Sequence, residues 1–163
     1  MSVTDELLTH AEHYAATFDK GGLPLPPSRG VAVLACMDAR LNPYGLLGLT
    51  EGDAHVIRNA GGVVTADGLR SLAISQRLLG TTEIILIQHT GCGMLTFTDD
   101  GFKADIEREV GLKPSWAAEA FTDLDENVRQ SLRRIQADPF IPVKSSVRGF
   151  VYDVTTGKLR EVS

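Results

Sequence analysis

The sequence predicts an α/β fold: a mainly parallel β-sheet of four strands with an antiparallel edge strand, flanked by helices and preceded by an N-terminal helical arm. Two observations carry this expectation. The apolar runs Val31-Ala32-Val33-Leu34-Ala35 and Ile84-Ile85-Leu86-Ile87 have the length and composition of strands buried on both faces, without polar alternation. Helical periodicity separates most of the strands, and only the last two are joined by a short turn, so parallel crossovers dominate and one hairpin closes the sheet. At 163 residues and 43% hydrophobic content, the chain reads as one domain with room for a full core, residues 1–28 forming its arm and connector.

From residue 4 to residue 18, Leu7, Leu8, Ala11, Tyr14, Ala15 and Phe18 recur at helical spacing behind a cap expected at Thr4 or Asp5. Gly21-Gly22-Leu23-Pro24-Leu25-Pro26-Pro27 then breaks regular structure and spaces this amphipathic helix from the first strand. His10 and His13 share a helix face and read as solvated surface residues; so does His55, which has no Cys or carboxylate at a ligand spacing. Pro43, following Asn42, opens a short helix through Leu46 and Leu47, ended by residues 50–53. Residues 54–58 form a shorter and less apolar strand, hence one nearer the sheet edge. The loop Asn59-Ala60-Gly61-Gly62 follows, its glycines read as a tight strand-to-helix turn. No Gly-x-x-x-x-Gly-Lys or Gly-x-Gly-x-x-Gly pattern accompanies them, which argues against a nucleotide phosphate site.

Residues 65–79 give the most regular helix, capped by Thr65 and stopped by Gly80. Ile74 and Leu78 lie away from its stripe of Leu69, Leu72, Ala73, Gln76 and Leu79, which points to burial against a second surface such as another subunit. Residues 83–89 are the central strand, and residues 91–97 begin a short helix whose first N–H groups face Cys92. The polar segment 98–120, broken by Gly101, Gly111 and Pro114, holds a helix to Val110 with Asp99 or Asp100 as cap. In the next helix, residues 122–137, Asp125, Arg129 and Arg133 stand four apart and read as a salt-bridged, solvated face. Residues 146–153 alternate as a fourth strand, and Thr155-Thr156-Gly157-Lys158 turns into a last short strand at 159–162.

The residues that carry chemistry stand at strand ends. Cys36 follows the first apolar run, His89 closes the central strand, and Cys92 comes three residues later. Two thiolates and an imidazole are three zinc ligands, and a fourth position left open is what separates catalytic zinc from structural zinc. Taken singly, each has an ordinary reading, since a buried Cys packs as a small apolar side chain and His-x-x-Cys is a short pattern. Their placement favours the metal: both segments lie just past carboxyl ends of strands, the edge where open α/β sheets hold their sites. Asp38 and Arg40, two residues apart, add a carboxylate and a planar cation able to pair with it bidentately.

With Cys36-Met37-Asp38-Ala39-Arg40, Arg58-Asn59-Ala60-Gly61 and His89-Thr90-Gly91-Cys92 in this order, the sequence resembles the β-class carbonic anhydrases, from about Val31 to Leu95. The resemblance implies one Zn2+ per chain, held by Cys36, His89 and Cys92. It implies a zinc-bound hydroxide that attacks carbon dioxide to give bicarbonate, aimed by Asp38, which Arg40 holds ionised, with Asn59, Ala60 and Gly61 as substrate-binding residues. It further implies a form in which Asp38 leaves Arg40 and closes the fourth position at lower pH. A homodimer or dimer of dimers embraced by the N-terminal helix also follows from the resemblance, although by pattern alone that helix packs equally well on its own domain.

Three departures stand out: Gly91 and Gly62 replace larger or polar residues and imply a roomier pocket, and Leu25-Pro26-Pro27-Ser28 stands where plant-type members carry a glutamine. The chain therefore looks closer to the small prokaryotic branch, which also resembles hydrolases of carbonyl sulfide and carbon disulfide. Such a hydrolase is the alternative function. A non-catalytic zinc protein or thiol switch is a third reading, against which Asp38 and Arg40 weigh because bracing needs neither.

A net charge of -5 without a basic stripe argues against nucleic acid and anionic membranes as partners. No apolar run approaches a membrane span, residues 1–6 lack the pattern of a secretory signal, and two distant cysteines make no disulfide framework, so a cytoplasmic location is expected.

Overall fold

A computed structural model describes residues 2–163. Its sheet runs β2 (Ala54–Asn59), β1 (Val31–Cys36), β3 (Glu83–His89), β4 (Val147–Tyr152) and β5 (Leu159–Val162), in that spatial order. The first four strands are parallel and β5 closes the edge antiparallel to β4, as the sequence predicts. The continuous apolar runs have a direct cause. Val33, Ala35 and Ile87 point to one core, whereas Ala32, Leu34, Ile84 and Leu86 point to another on the opposite face. Helices α3 (Ala66–Leu79) and α5 (Leu124–Ala137) cover the second core with Leu72 and Ile135. The first core is roofed by Leu41, Val63, Met94 and Phe121, all contributed by segments at the carboxyl edge. Burial of the β1 side chains therefore also fixes where Cys36 emerges.

The capping chemistry explains most element limits. Thr65 accepts from Gly68 N–H at the start of α3, and Gly80 ends it in the left-handed conformation. Asn42 caps the short α2 (Pro43–Leu47), which stops at Gly48, ahead of the 50–53 segment. Three expectations are corrected, two of them by neighbouring hydroxyls. Ser2, rather than Thr4 or Asp5, caps α1 (Val3–Ala16), with Asp5 completing a capping box. Thr98, rather than Asp99 or Asp100, caps α4 (Asp99–Val110), which frees Asp99 to accept from the N–H groups of Glu119 and Ala120. Residues 93–95 make a single 3-10 turn instead of a short helix.

Surface pairing also differs from the i,i+4 pattern in α5. Asp125 reaches across to Arg160 of β5, while Glu126 takes Arg133 and, more loosely, Arg129. His55 is half-buried, its Nδ1 2.7 Å from Ser75 Oγ, and so is no solvated surface histidine. No residue of α1 is buried, and Leu7, Leu8, Tyr14 and Phe18 stay open to solvent. The arm is tied to the body by Glu51, which accepts from Tyr14 Oη at 2.9 Å and Lys20 Nζ at 2.6 Å. Among the described residues, no helix is long and apolar enough to cross a membrane.

Candidate metal centre

Parallel pairing of β1 with β3 brings Cys36, the last residue of β1, beside His89, the last of β3; the turn after β3 returns Cys92 to the same point. Their three ligand atoms lie within 4.8 Å of one another, and all three residues are buried. Sγ of Cys36 stands 4.0 Å from Sγ of Cys92 and 3.2 Å from Nε2 of His89. Bond lengths of about 2.3 Å to sulfur and about 2.0 Å to nitrogen give a tetrahedral zinc site edges of about 3.8 Å between sulfurs and about 3.5 Å between sulfur and nitrogen. The two separations from Cys36 Sγ thus match a zinc site to within a few tenths of an ångström, and the third lies inside the same 4.8 Å.

The donors are also prepared chemically. Nδ1 of His89 donates to the Thr90 carbonyl at 2.9 Å, which leaves Nε2 facing the Cys36 sulfur at 3.2 Å: protonated, it donates to the thiolate, and once that proton is lost its lone pair is free to ligate. A hydrogen bond from Cys92, then one from His89, holds the Cys36 thiol well below its ordinary range against the opposing effect of burial. Backbone N–H groups at the turn would be expected to lower the Cys92 thiol, but it is pushed up by the same contact and by burial, and the Met94 backbone N–H pulls the other way without reversing the shift. The hydrogen bond to Cys36 raises the His89 pKa, opposed by burial. Protons shared inside such a donor set are what a divalent cation displaces.

Asp38 and Arg40 meet as the sequence predicts. Arg40 Nε donates to Asp38 Oδ1 at 2.9 Å and Nη2 to Oδ2 at 2.8 Å, and the Arg40 backbone N–H adds a third bond to Oδ1 at 2.9 Å. These bonds hold the Asp38 carboxyl well below the usual carboxylate range. Asp38 Oδ2 comes within 3.6 Å of His89 Nε2, so the carboxylate borders the trio while remaining engaged by Arg40. Arg40 Nη2 also donates to the Gly91 carbonyl at 3.0 Å and so joins the two loops.

A cavity of ≈ 370 Å³ opens on the two sulfur ligands, with His89 buried behind them, and is lined by Cys36, Asp38, Cys92, Ala60, Gly61, Met94 and Phe97 among others. Ala60 and Gly61 thus face it. Asn59 does not line it: its Nδ2 donates to the Val63 carbonyl at 2.8 Å, its buried Oδ1 has no partner, and the residue borders the adjoining cleft. Gly62 has another purpose than widening the pocket. A Cβ there would lie 2.8 Å from Cys36 N and 2.8 Å from Ile87 O, so the loop passes directly against the ends of β1 and β3. The glycines serve close backbone approach as well as the turn. At Gly91, by contrast, a Cβ would meet only Arg40 Nη1 at 4.0 Å, so the missing side chain does leave space there.

Sequence reasoning missed Arg58, whose side chain leaves the edge strand to bond loop carbonyls around Cys36. Its only signal was its place in the Arg-Asn-Ala-Gly stretch. A larger cleft of ≈ 470 Å³ beside α5 contains Asp99, Glu119, Asp123 and Glu126, but each carboxylate is engaged. Asp99 binds loop amides, Glu119 pairs with Arg134, Asp123 caps α5 and Glu126 pairs with Arg133.

A buried Cys2His trio at the carboxyl edge of a parallel sheet, facing a cavity, defines a zinc protein of the catalytic kind, since structural sites are closed by four protein ligands. A family model described as "Carbonic anhydrase" matches residues 31–159. The chain belongs to the β-carbonic anhydrase family. It is 61% identical over 163 residues to "Beta-carbonic anhydrase 1" of Mycobacterium tuberculosis, covering 100% of this chain and 99% of that protein. The crystal structure of a carbonic anhydrase from Streptococcus mutans superposes with a TM-score of 0.93 at 41% identity, covering 100% of this chain and 99% of that one. "Carbon disulfide hydrolase" of Saccharolobus solfataricus is 34% identical over 96% of this chain and 87% of that protein.

Proposed function

We propose that this chain hydrates carbon dioxide to bicarbonate, using one zinc ion held by Cys36, His89 and Cys92. The observation that carries the reading is the Asp38–Arg40 pair beside an open donor trio, in a chain 61% identical to a β-carbonic anhydrase along its whole length. Bound zinc supplies Lewis acidity, which brings the deprotonation of water towards neutral pH. The chain's residues do the rest. Asp38, acceptor-only because Arg40 keeps it ionised, takes a hydrogen bond from the attacking oxygen and sets its direction. Arg40 fixes the carboxylate plane and, through Gly91 O, its distance from the turn carrying Cys92. Ala60, Gly61, Met94 and Phe97 offer the largely apolar walls suited to a linear, nonpolar gas, and Asn59 supports that loop from behind through Val63 O.

The exposed apolar face of α1 supports a homodimer or dimer of dimers in which the arm covers a partner. A cytoplasmic location follows from this reading, because the ligand thiols must stay reduced. Stopped-flow proton release from dissolved carbon dioxide, with zinc-loaded and zinc-stripped protein, tests the function. Turnover that appears only with zinc is expected. Hydrogen sulfide release from carbonyl sulfide or carbon disulfide without carbon dioxide hydration would replace this reading with the hydrolase.

A further inference from the structure

We propose that Arg58 is a positioning residue for this reaction: its guanidinium spans the carbonyls of Cys36, Asp38 and Leu41 and holds the loop that presents Asp38. The inference rests on the hydration reading and adds a residue to it.

The β1–β2 ladder ends where Cys36 meets Asn59, with a last bond from Met37 N–H to the Asn59 carbonyl. Beyond that point the backbone leaves the sheet; Asp38 O accepts from Leu41 N–H at 3.0 Å in a local turn, and the other carbonyls of the loop need partners from elsewhere. Arg58 lies in register opposite Ala35, one residue short of the strand end, and reaches back over the departing loop. Nε donates to Cys36 O at 2.9 Å, and Nη2 lies 2.7 Å from Cys36 O, 2.8 Å from Asp38 O and 2.9 Å from Leu41 O. Among the described residues, no carboxylate forms an ion pair with Arg58, and its Nε and Nη2 donors go to backbone carbonyls.

The consequence lies in what those carbonyls flank. Cys36 and Asp38 themselves belong to the site, and Arg40 sits between Asp38 and Leu41. The bidentate Asp38–Arg40 contact requires the peptide from 38 to 40 to hold one conformation, since the Arg40 N–H and side chain both bind the same carboxylate. Arg58 grips that peptide before and after the pair. A planar fork can bridge several carbonyls at once; an ammonium at this position is a point donor on a flexible stem.

Arg58→Met and Arg58→Lys, loaded with zinc, test the proposal. In Arg58→Met, kcat for carbon dioxide hydration should fall about 10- to 100-fold, the range expected when a supporting partner of a metal site is lost. KM and zinc content should hardly change. Arg58→Lys should recover part of that loss, and added guanidinium ion should raise kcat of Arg58→Ala but not of the wild type. Amide exchange gives a readout independent of turnover, and of whether the Met variant folds well. In Arg58→Lys the N–H groups of Arg40 and Leu41 should exchange faster, while those of Leu34 and Leu86 keep their protection. Wild-type kcat in zinc-loaded Arg58→Met, a kcat loss that tracks zinc loss, or a uniform loss of protection across the sheet would each overturn the proposal. Absence of hydration by the zinc-loaded wild type would instead overturn the functional reading on which it rests.

Discussion

At the carboxyl edge of the sheet, Cys36 and Cys92 are each 3% exposed and His89 is 0% exposed, whereas in the arm not one residue of α1 is buried. Both regions carry strong sequence signals: ligands at strand ends in one, an amphipathic stripe in the other. They differ in what completes them. At the edge, strand pairing, Arg40, Arg58 and the close pass of Gly62 each restrict the same few atoms. The arm is tied to the body through Glu51 and leaves Leu7, Leu8 and Phe18 without cover. Redundant constraint is what a reactive geometry needs, because a displacement of about an ångström already costs rate. A segment whose apolar face awaits another surface needs only to be held within reach.

The sharpest way to break this contrast is Cys36→Ser, which removes a soft ligand from the buried trio. Zinc measured per chain after dialysis should fall to near zero, and turnover with it. Asp38→Ala should separate ligation from chemistry, with zinc retained and kcat lowered about 10²-fold or more, because the oriented acceptor is lost. Gly62→Ala probes the backbone alone. A Cβ 2.8 Å from Cys36 N, on a residue with φ of 63°, should cost about 1–3 kcal/mol in denaturant unfolding and lower zinc affinity without touching a ligand.

The arm should give the smallest response. Lys20, with the Glu51 backbone and Tyr14 adding to it, lowers the Glu51 pKa to about 2. A depressed carboxylate contributes fully above its ordinary pKa and loses that contribution as pH falls through the depressed value. The tether should therefore persist on acidification from neutral pH and release only near about 2. Glu51→Gln should release it at neutral pH: amide exchange in α1 should quicken, while zinc content and turnover stay as they were. A loss of turnover on this substitution would show that arm and site are coupled.

Much of this was legible because its causes are local in the chain. Runs such as Ile84-Ile85-Leu86-Ile87 are apolar throughout only when both faces of a strand are covered, and Thr65 and Gly80 mark helix ends by their own bonding and backbone freedom. Caps differ from expectation where two nearby residues are competent, as with Ser2 against Thr4 and Thr98 against Asp99. The links that cross the chain left little local trace. His55 and Ser75 are 20 positions apart, Asp99 and Ala120 are 21 apart, and Arg58 and Cys36 are 22 apart.

The sequence by itself determined the strand runs, the alternation with helices and the ligand types, since hydrophobic burial and metal chemistry depend on what a residue is and on its near neighbours. Only the tertiary structure decided which side chains serve those ligands. Arg58 becomes a clamp, and Gly62 a point of contact, because parallel pairing of β1 with β2 and β3 stacks three strand ends on one edge. That juxtaposition is a property of register, and no residue type along the chain encodes it alone.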